Sequence, residues 1–444
     1  MNDIKITMEY LNRIGEELRV AVIGTLDLSE SEQVFIGNEE KLFLLELIKR
    51  IDKNTITASG ADLSLNNFKE KTFNSMYDIF KGEIAIRETV RTKVLKVITF
   101  VRSLLFFLRS LFFFLRRFDT IIHSHAYFRN RIFVIEDLSF FLLRYEKKCP
   151  KVREIFRNEL IKTSMDEKLI EALVELFPSS HMESYAKIKN HYLSKINIKK
   201  VVTSIYGVMA DPLLGSIIRN NKSDLYYIQH GGGYGLNDKR VEYQLEDAGC
   251  KTMYYWGTGE HNIYPSRYKN KSFPKMNSEI QLILSANKNK DKRSRDYYIA
   301  IAEKLESIYS DVSIVAFPNA DKKNFAFKNM RFGISPREHQ KSKLIIYDSV
   351  GQSLLFSRIL SRRPFLVVDD FITDANNPNA KKFLKLLKEC NLLLSREDLL
   401  DRALFWSSIS EDILVEEFIR SAEPFLNHVL DQPKLEEAFI YNKR

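Results

Sequence analysis

The residues best suited to chemistry stand together at Gln229-His230-Gly231-Gly232-Gly233-Tyr234-Gly235, directly after the apolar run Leu225-Tyr226-Tyr227-Ile228. Four of the chain's 16 glycines fall within five positions here. In a chain so poor in glycine, such clustering means that the backbone takes positive φ or comes close to a ligand. An imidazole at the carboxyl end of a strand suits proton transfer, which makes His230 the first candidate for a general base. Glu242 and Glu246 follow at helical spacing, so one helix face can direct both carboxylates the same way or present them to solvent. Glu242 and then Asp211, which follows the strand-like run ending at Ile205, are the next acid–base candidates. Gln229, Gly231, Gly232, Gly233, Tyr234 and Glu246 are the expected substrate contacts around them.

A second constellation, Tyr347-Asp348-Ser349-Val350-Gly351-Gln352-Ser353, lies between the apolar run Lys343–Ile346 and the helical segment Ser353–Leu360. A strand, then small and hydroxyl residues, then a helix start offers backbone N–H groups and the positive end of a helix dipole to an anion such as a diphosphate. Ser349 or Ser353 can equally serve as a plain helix N-cap. Arg337, His339 and Lys341 precede this turn and carry charge for phosphate or for solvent, while Pro318 ends a strand in the same half. Ser349, Gly351, Gln352, Ser353, Pro318, Arg337 and Lys341 are therefore the expected nucleotide contacts.

Other chemistries find less support. The His-Gly-Gly-Gly run resembles an esterase oxyanion loop, but that reading requires a Gly-x-Ser-x-Gly elbow, and Gly351-Gln352-Ser353 continues as Leu-Leu. His123-x-His125 has no third ligand nearby, so no metal is expected there. Cys149, Cys250 and Cys390 are far apart, with no Cys-x-x-Cys, which suits a reducing compartment and argues against disulfides or structural zinc. No Asp-x-Asp occurs, which removes the usual divalent-metal site of single-domain nucleotide-sugar enzymes.

The elements that must position these residues are clearest in the second half. Helical stretches (Asp166–Phe177, Ser184–Lys195) alternate with apolar runs at Lys200–Ile205, Asp224–Gln229 and Thr252–Trp256. The rhythm restarts with strands at Glu279–Ser285, Val312–Phe317, Lys343–Tyr347, Pro364–Val368 and Asn391–Leu394, separated by helices at Arg295–Ser307, Gln352–Ser361 and Ala380–Glu389. Alternation of this length indicates βαβ units and a parallel sheet. Two such series, parted by the polar stretch Pro265–Ser278, predict an α/β protein of two doubly wound Rossmann-type domains, residues 1–270 and 279–444, with ligands beyond the carboxyl ends of the strands in the cleft. Upstream, Leu18–Thr25 reads as a buried strand, and Leu42–Ile51, Phe133–Lys148 and Lys151–Lys162 read as helices.

The 444 residues include 68 Lys and Arg against 58 Asp and Glu, a net charge of +10. Seven of those basic residues, with seven Phe and no acid, fall between Thr89 and Phe118; without them the balance is 61 to 58. Arg102, Arg109 and Arg116 recur every seven residues, so on a helix they form a stripe, with Phe106 and Phe113 close to it. The longest uncharged runs there are six residues, too short for a membrane span of roughly 20. A helix lying on an anionic membrane surface fits this composition, as does a buried helix whose arginines pair elsewhere. No nucleic-acid-binding signature accompanies the charge. Met1–Val20 lacks an apolar signal core, so a cytoplasmic protein, peripheral on the inner face of the inner membrane, is expected.

The segments LFPSSHMESY, VVTSIYG, YYIQHGGGYG, Glu242, Glu246 and YYWG, followed by KLIIYDS, RRPFLVV and NLLLSREDLLDRALFW, together resemble a family of transferases from O-antigen and surface-polysaccharide loci with a Gln-His-Gly-Gly-x-Tyr-Gly signature. More distantly the order is similar to capsule and Kdo transferases of GT-B architecture. The resemblance covers roughly Leu176–Leu430, and no motif carries it before Pro150. Where such enzymes often place an acid after the Ser/Thr turn, this chain has Phe356-Ser357. The resemblance implies a GT-B-like, metal-independent glycosyltransferase that uses a CMP- or UDP-linked sugar as co-substrate, without a bound cofactor, and a lipid-linked or oligosaccharide acceptor. A CDP-polyol phosphotransferase of similar fold and a non-catalytic membrane-surface scaffold are the alternative readings.

Overall fold

The computed structural model describes residues 7–27, 40–48 in part, 56–58, 61–63, 120–122, 148–178, 181–185 in part, 198–204, 218, 222–229, 231–236, 241–265, 274–284, 292–316, 327–333, 336–369 and 377–434. The chain divides into two compact units. The first comprises Met1–Ile228 with Val241–Met253, and the second comprises Gln229–Arg240 with Tyr254–Arg444.

In the first unit, α1 (Met8–Leu26) starts at Thr7, whose hydroxyl accepts the Tyr10 N–H. Its buried side chains, Leu11, Ile14, Leu18, Ala21 and Val22, recur at helical spacing. The strand expected at Leu18–Thr25 is therefore the last part of this helix. Its β-branched residues favour a strand locally, but the apolar period beginning at Leu11 continues through them, and the face it makes packs on α2 (Pro150–Ile161). Next comes α3 (Glu167–Leu176), capped by Asp166. The buried guanidinium of Arg153 donates to both carboxylate oxygens of Glu183 at 2.7 and 2.8 Å and to the carbonyls of Val174 and Phe177. This pair joins α2 to the end of α3.

The strands are short. A hairpin of β1 (Ile56–Ala58) and β2 (Ala61–Leu63) precedes a sheet of order β3 (Thr120–Ile122), β4 (Lys200–Thr203), β5 (Asp224–Ile228), β6 (Thr252–Tyr255), β7 (His261–Asn262). Within it β3, β4 and β5 pair in parallel, as do β6 and β7. Helix α4 (Val241–Ala248) connects β5 to β6.

The second unit contains a six-stranded sheet of order β10-β9-β8-β11-β12-β13, in which every pair is parallel. Its strands are β8 (Ile280–Ile283), β9 (Val312–Ala316), β10 (Met330–Phe332), β11 (Leu344–Tyr347), β12 (Phe365–Val368) and β13 (Leu393–Leu394). Between them run α5 (Lys292–Glu306), α6 (Pro336–His339), α7 (Ser353–Ser361) and α8 (Pro378–Glu389). Every residue of β8, β9, β11 and β12 is buried, as expected of strands covered on both faces. After β13, α9 (Arg396–Ser408) and α10 (Glu411–Leu430) complete the unit. Phe418 and Phe425 of α10 lie edge-on to Phe365 and Phe383, with centroids 5.4 and 5.1 Å apart. The two α/β series expected from the sequence are present, each around a parallel sheet.

Strand order locates the place where a ligand would enter the second sheet. From β8 the chain moves outward through β9 and β10, then returns to the other side of β8 for β11 and moves outward again through β12 and β13. The direction reverses between β8 and β11. In open α/β sheets this topological switch point, at the carboxyl ends of the two strands, is where ligands bind.

Candidate functional site

The turn Asp348–Gln352 occupies the switch point. The Asp348 N–H donates to the carbonyl of Ile283, the last residue of β8, at 3.2 Å. The Ser349 hydroxyl accepts the Gly351 N–H at 3.1 Å, a local turn that short polar side chains make readily. Gln352 is the residue that begins α7, and its amide donates to Asp348 Oδ1 at 2.6 Å and to the Ile283 carbonyl at 3.1 Å. No side chain caps α7 and no acid lies in its first turn. The first-turn N–H groups of a helix have no intrahelical acceptor, and they concentrate the positive end of the dipole. An anion is the natural complement of such a turn.

The glycine-rich turn Gly231–Leu236 belongs to the same unit and packs directly against this one. A Cβ on Gly232 would lie 2.6 Å from both the Gly351 oxygen and the Gln352 carbonyl carbon. Those are backbone atoms and cannot swing aside, so only glycine fits. Gly235 has φ +73°, and a Cβ there would meet the Thr258 carbonyl oxygen at 2.5 Å. Two of the four glycines are thus explained, Gly232 by close approach of backbone to backbone and Gly235 by positive φ.

Gln229 holds this turn in place. Its Oε1 accepts the Trp256 N–H at 2.9 Å, its Nε2 donates to the Gly231 carbonyl at 2.5 Å, and its own N–H donates to the Tyr254 carbonyl at 2.9 Å. The Thr258 hydroxyl donates to the Tyr234 carbonyl at 2.8 Å. Gln229, Tyr234 and Thr258 are buried, and Trp256 is buried against Phe356 of α7 with ring centroids 5.0 Å apart. Gly233 lies inside the turn and is buried.

Behind the turn, α7 is fastened by polar groups deep in the core. His339 Nε2 is 2.5 Å from the Tyr347 hydroxyl, and its Nδ1 is 3.2 Å from the Ser357 hydroxyl, to which Gln340 also donates at 2.9 Å. Burial holds the His339 imidazole well below its usual range, and the charge of Arg358 acts in the same direction. Burial likewise raises the Tyr347 phenol well above its usual range. Arg358 is fully buried and donates to the carbonyls of Ser342, Lys343 and Pro364 at 3.1, 3.4 and 2.7 Å. Burial lowers its guanidinium to about 9. His339, read from the sequence as a phosphate contact or a surface charge, is neither, because it is enclosed beneath the sheet end.

The structure therefore brings Gly232 together with Gly351 and Gln352, with Gln229, Gly231 and Tyr234 supporting and Ser349 and Ser353 at the same turn. Lys341 is exposed and precedes β11, so it stands at the opposite end of that strand, roughly 10 Å from the turn by strand rise alone. Glu246 is a buried residue of α4 in the first unit. His230, Asp211 and Pro318 lie outside the described residues, as do the side chains of Glu242 and Arg337. The basic segment with Arg102, Arg109, Arg116, Phe106 and Phe113 is also outside them. Among the described residues, no group of three or more His, Cys, Asp or Glu is arranged to hold a metal, and no helix is long and apolar enough to cross a membrane. Sequence reasoning missed Thr258 and Arg358, and it passed over Asp348 as a residue in its own right. The one available signal was Asp348 itself, an acid inside an apolar-to-glycine transition.

No curated protein matches the chain. Among solved structures it is similar to TarM (14% identity, 55% of this chain and 53% of that one, TM-score 0.35), so that it spans about half of TarM's length. It is also similar to S. aureus MnaA in a co-structure with UDP (12%, 60% and 86%, TM-score 0.36) and to the calicheamicin glycosyltransferase CalG4 (10%, 69% and 83%, TM-score 0.35). A family model, the LIC12162 family transferase, matches residues 49–395. That match begins well upstream of Leu176, where the sequence motifs begin, and takes in the basic segment. Since it covers more than half of the chain, the chain belongs to the LIC12162 family of transferases.

Proposed function

We propose that this transferase moves a sugar from a nucleotide-linked donor to a lipid-linked or oligosaccharide acceptor in surface-polysaccharide (O-antigen or capsule) synthesis. One observation carries the reading: the uncapped start of α7, with its Gly351 and Ser349 turn, coincides with the β8/β11 switch point. Backbone amides aimed at an oxyanion stabilise charge that builds on a leaving phosphate. The turn and the helix dipole supply that stabilisation without a metal, and a UDP- or CMP-linked sugar provides the matching leaving group.

The acceptor hydroxyl loses a proton as it attacks the anomeric carbon, and the bond from that carbon to the phosphate oxygen breaks. His230 is the proposed base, adjoining the braced Gln229, with Glu242 and Asp211 next. The basic Phe-rich segment holds the enzyme at an anionic membrane surface on the cytoplasmic side, where a lipid-linked acceptor is presented.

Thermal-shift titration with UDP, TDP, GDP, CDP and CMP tests the donor assignment. A ligand that binds the folded state raises the melting temperature, by about 2.7 kcal/mol of stabilisation at 100 times its Kd. The reading expects a clear rise with one of these nucleotides, and no rise with any at millimolar concentration overturns it.

A further inference from the structure

At the switch point one side chain, that of Gln352, joins the end of β8 to the turn after β11. Gln352 stands at the start of α7, yet its amide does not cap the helix. It points back to the sheet, where one nitrogen donates both to the Asp348 carboxylate, just beyond β11, and to the Ile283 carbonyl, at the end of β8. These are the two strands that flank the switch point. Gln352 therefore ties together the edges of the gap in which a ligand would sit. On its other side the backbone of Gln352 and Gly351 is pressed by Gly232 so closely that no side chain fits between them.

Asp348 is fully buried and opens the turn that is to receive an anion. A carboxylate there repels phosphate unless its oxygens are engaged by donors. The Gln352 amide supplies one such donor at 2.6 Å.

We infer that the Gln352 side chain is the positioning group of the donor-phosphate turn: through Asp348 and Ile283 it sets the spacing of the β8 and β11 ends and the course of the Val350–Leu354 amides, without that side chain touching the donor. This rests on the nucleotide-donor reading above and adds to it the residue that shapes the site. It also reassigns Gln352, expected from sequence to contact nucleotide, to a supporting role.

The experiment exchanges the two partners. In Gln352→Glu the donor is replaced by a second carboxylate facing Asp348, so the turn should be forced apart. In Gln352→Glu combined with Asp348→Asn, amide and carboxylate trade places and the bond between them is restored with reversed direction. Two quantities are read for wild type, both single variants and the double variant. One is UDP affinity by titration calorimetry. The other is hydrogen exchange of the Val350–Leu354 amides in the ligand-free protein.

Gln352→Glu should weaken UDP binding about tenfold or more and speed exchange of those amides, and the double variant should recover part of both losses. Recovery is the mark of a paired contact, since independent sites simply add. Losses that add in the double variant overturn the inference, as does a Gln352→Glu protein with wild-type affinity and exchange. If wild type binds no nucleotide, the donor reading falls, but exchange in the free protein still decides the positioning role. Should Gln352→Glu not fold, Gln352→Met removes the amide donor without adding charge; unchanged exchange at Val350–Leu354 in that variant overturns the inference, and faster exchange there supports it.

Discussion

The two ends of the six-stranded sheet are built from opposite materials. At the carboxyl end, where the switch point lies, the described residues are glycine, serine, one glutamine amide, backbone N–H groups and a single buried acid, Asp348. At the amino end the chain uses charge. Glu279 there is buried, accepts from Gln281 Nε2 and Ser313 Oγ at 2.9 and 2.8 Å, and pairs with Arg331 at 2.8 Å. Lys343 donates to the carbonyls of Ser407 and Ile409 at the end of α9, and burial lowers its ammonium. Arg358, rooted in the last turn of α7, binds the carbonyls around the start of β11 and β12. Among the described residues the titratable side chains with many partners are thus mostly structural, and the turn suited to an anionic ligand holds one of them, Asp348. Charge alone is a poor guide to the site.

Arg358→Leu should break the comparison most visibly. It leaves three carbonyls, two of them in fully buried bonds, without their donor, and each buried acceptor left unsatisfied typically costs about 1–3 kcal/mol. Urea unfolding should show that loss as a lower midpoint at constant slope. An unchanged midpoint would mean that α7 is fastened by other contacts.

A smaller effect is expected at Glu279. Glu279→Gln keeps the shape but weakens the hydrogen bonds from Ser313 and Arg331, for roughly 1–3 kcal/mol of stability. Nucleotide affinity of the folded variant should stay as in wild type. A changed affinity would show that the amino end communicates with the switch point.

The smallest effect is a slope with pH. His339 is held neutral in the folded protein, so the unfolded chain takes up a proton first as pH falls below about 6.5. The stability tied to this group is complete above that pH and lost progressively below it, at no more than about 1.4 kcal/mol per pH unit. His339→Asn should flatten the acid limb of melting temperature against pH by that amount, and an acid limb identical to wild type would assign the slope to other groups.

Much of the second sheet was legible because its strands are continuous apolar runs between turn residues, as Leu344–Tyr347 and Phe365–Val368 illustrate. Strand β10 was not, since Met330–Phe332 is three residues long and not buried. In α1, β-branched residues after Leu18 obscured a helical period that becomes plain only when counted from Leu11. At the site, the glycine cluster and the Ser349–Ser353 turn were each readable as local features. Their meeting was not. Gly232 lies far from Gly351 along the chain, and the reason for glycine at 232 exists only in the folded neighbour. The same holds for Gln229, whose polar side chain reads as a ligand contact until the Trp256 N–H and the Gly231 carbonyl are seen at its two ends.

That doubly engaged amide has a consequence for the entropy of binding. A glycine-rich loop left to itself samples many conformations, and a ligand that must choose one of them loses affinity to the cost of ordering it. Here Gln229 from one side, Thr258 from another and the wall of Gly351 and Gln352 at the front restrict the loop during folding. On the donor reading proposed above, these contacts order the loop ahead of the ligand, so less binding energy is diverted to ordering it.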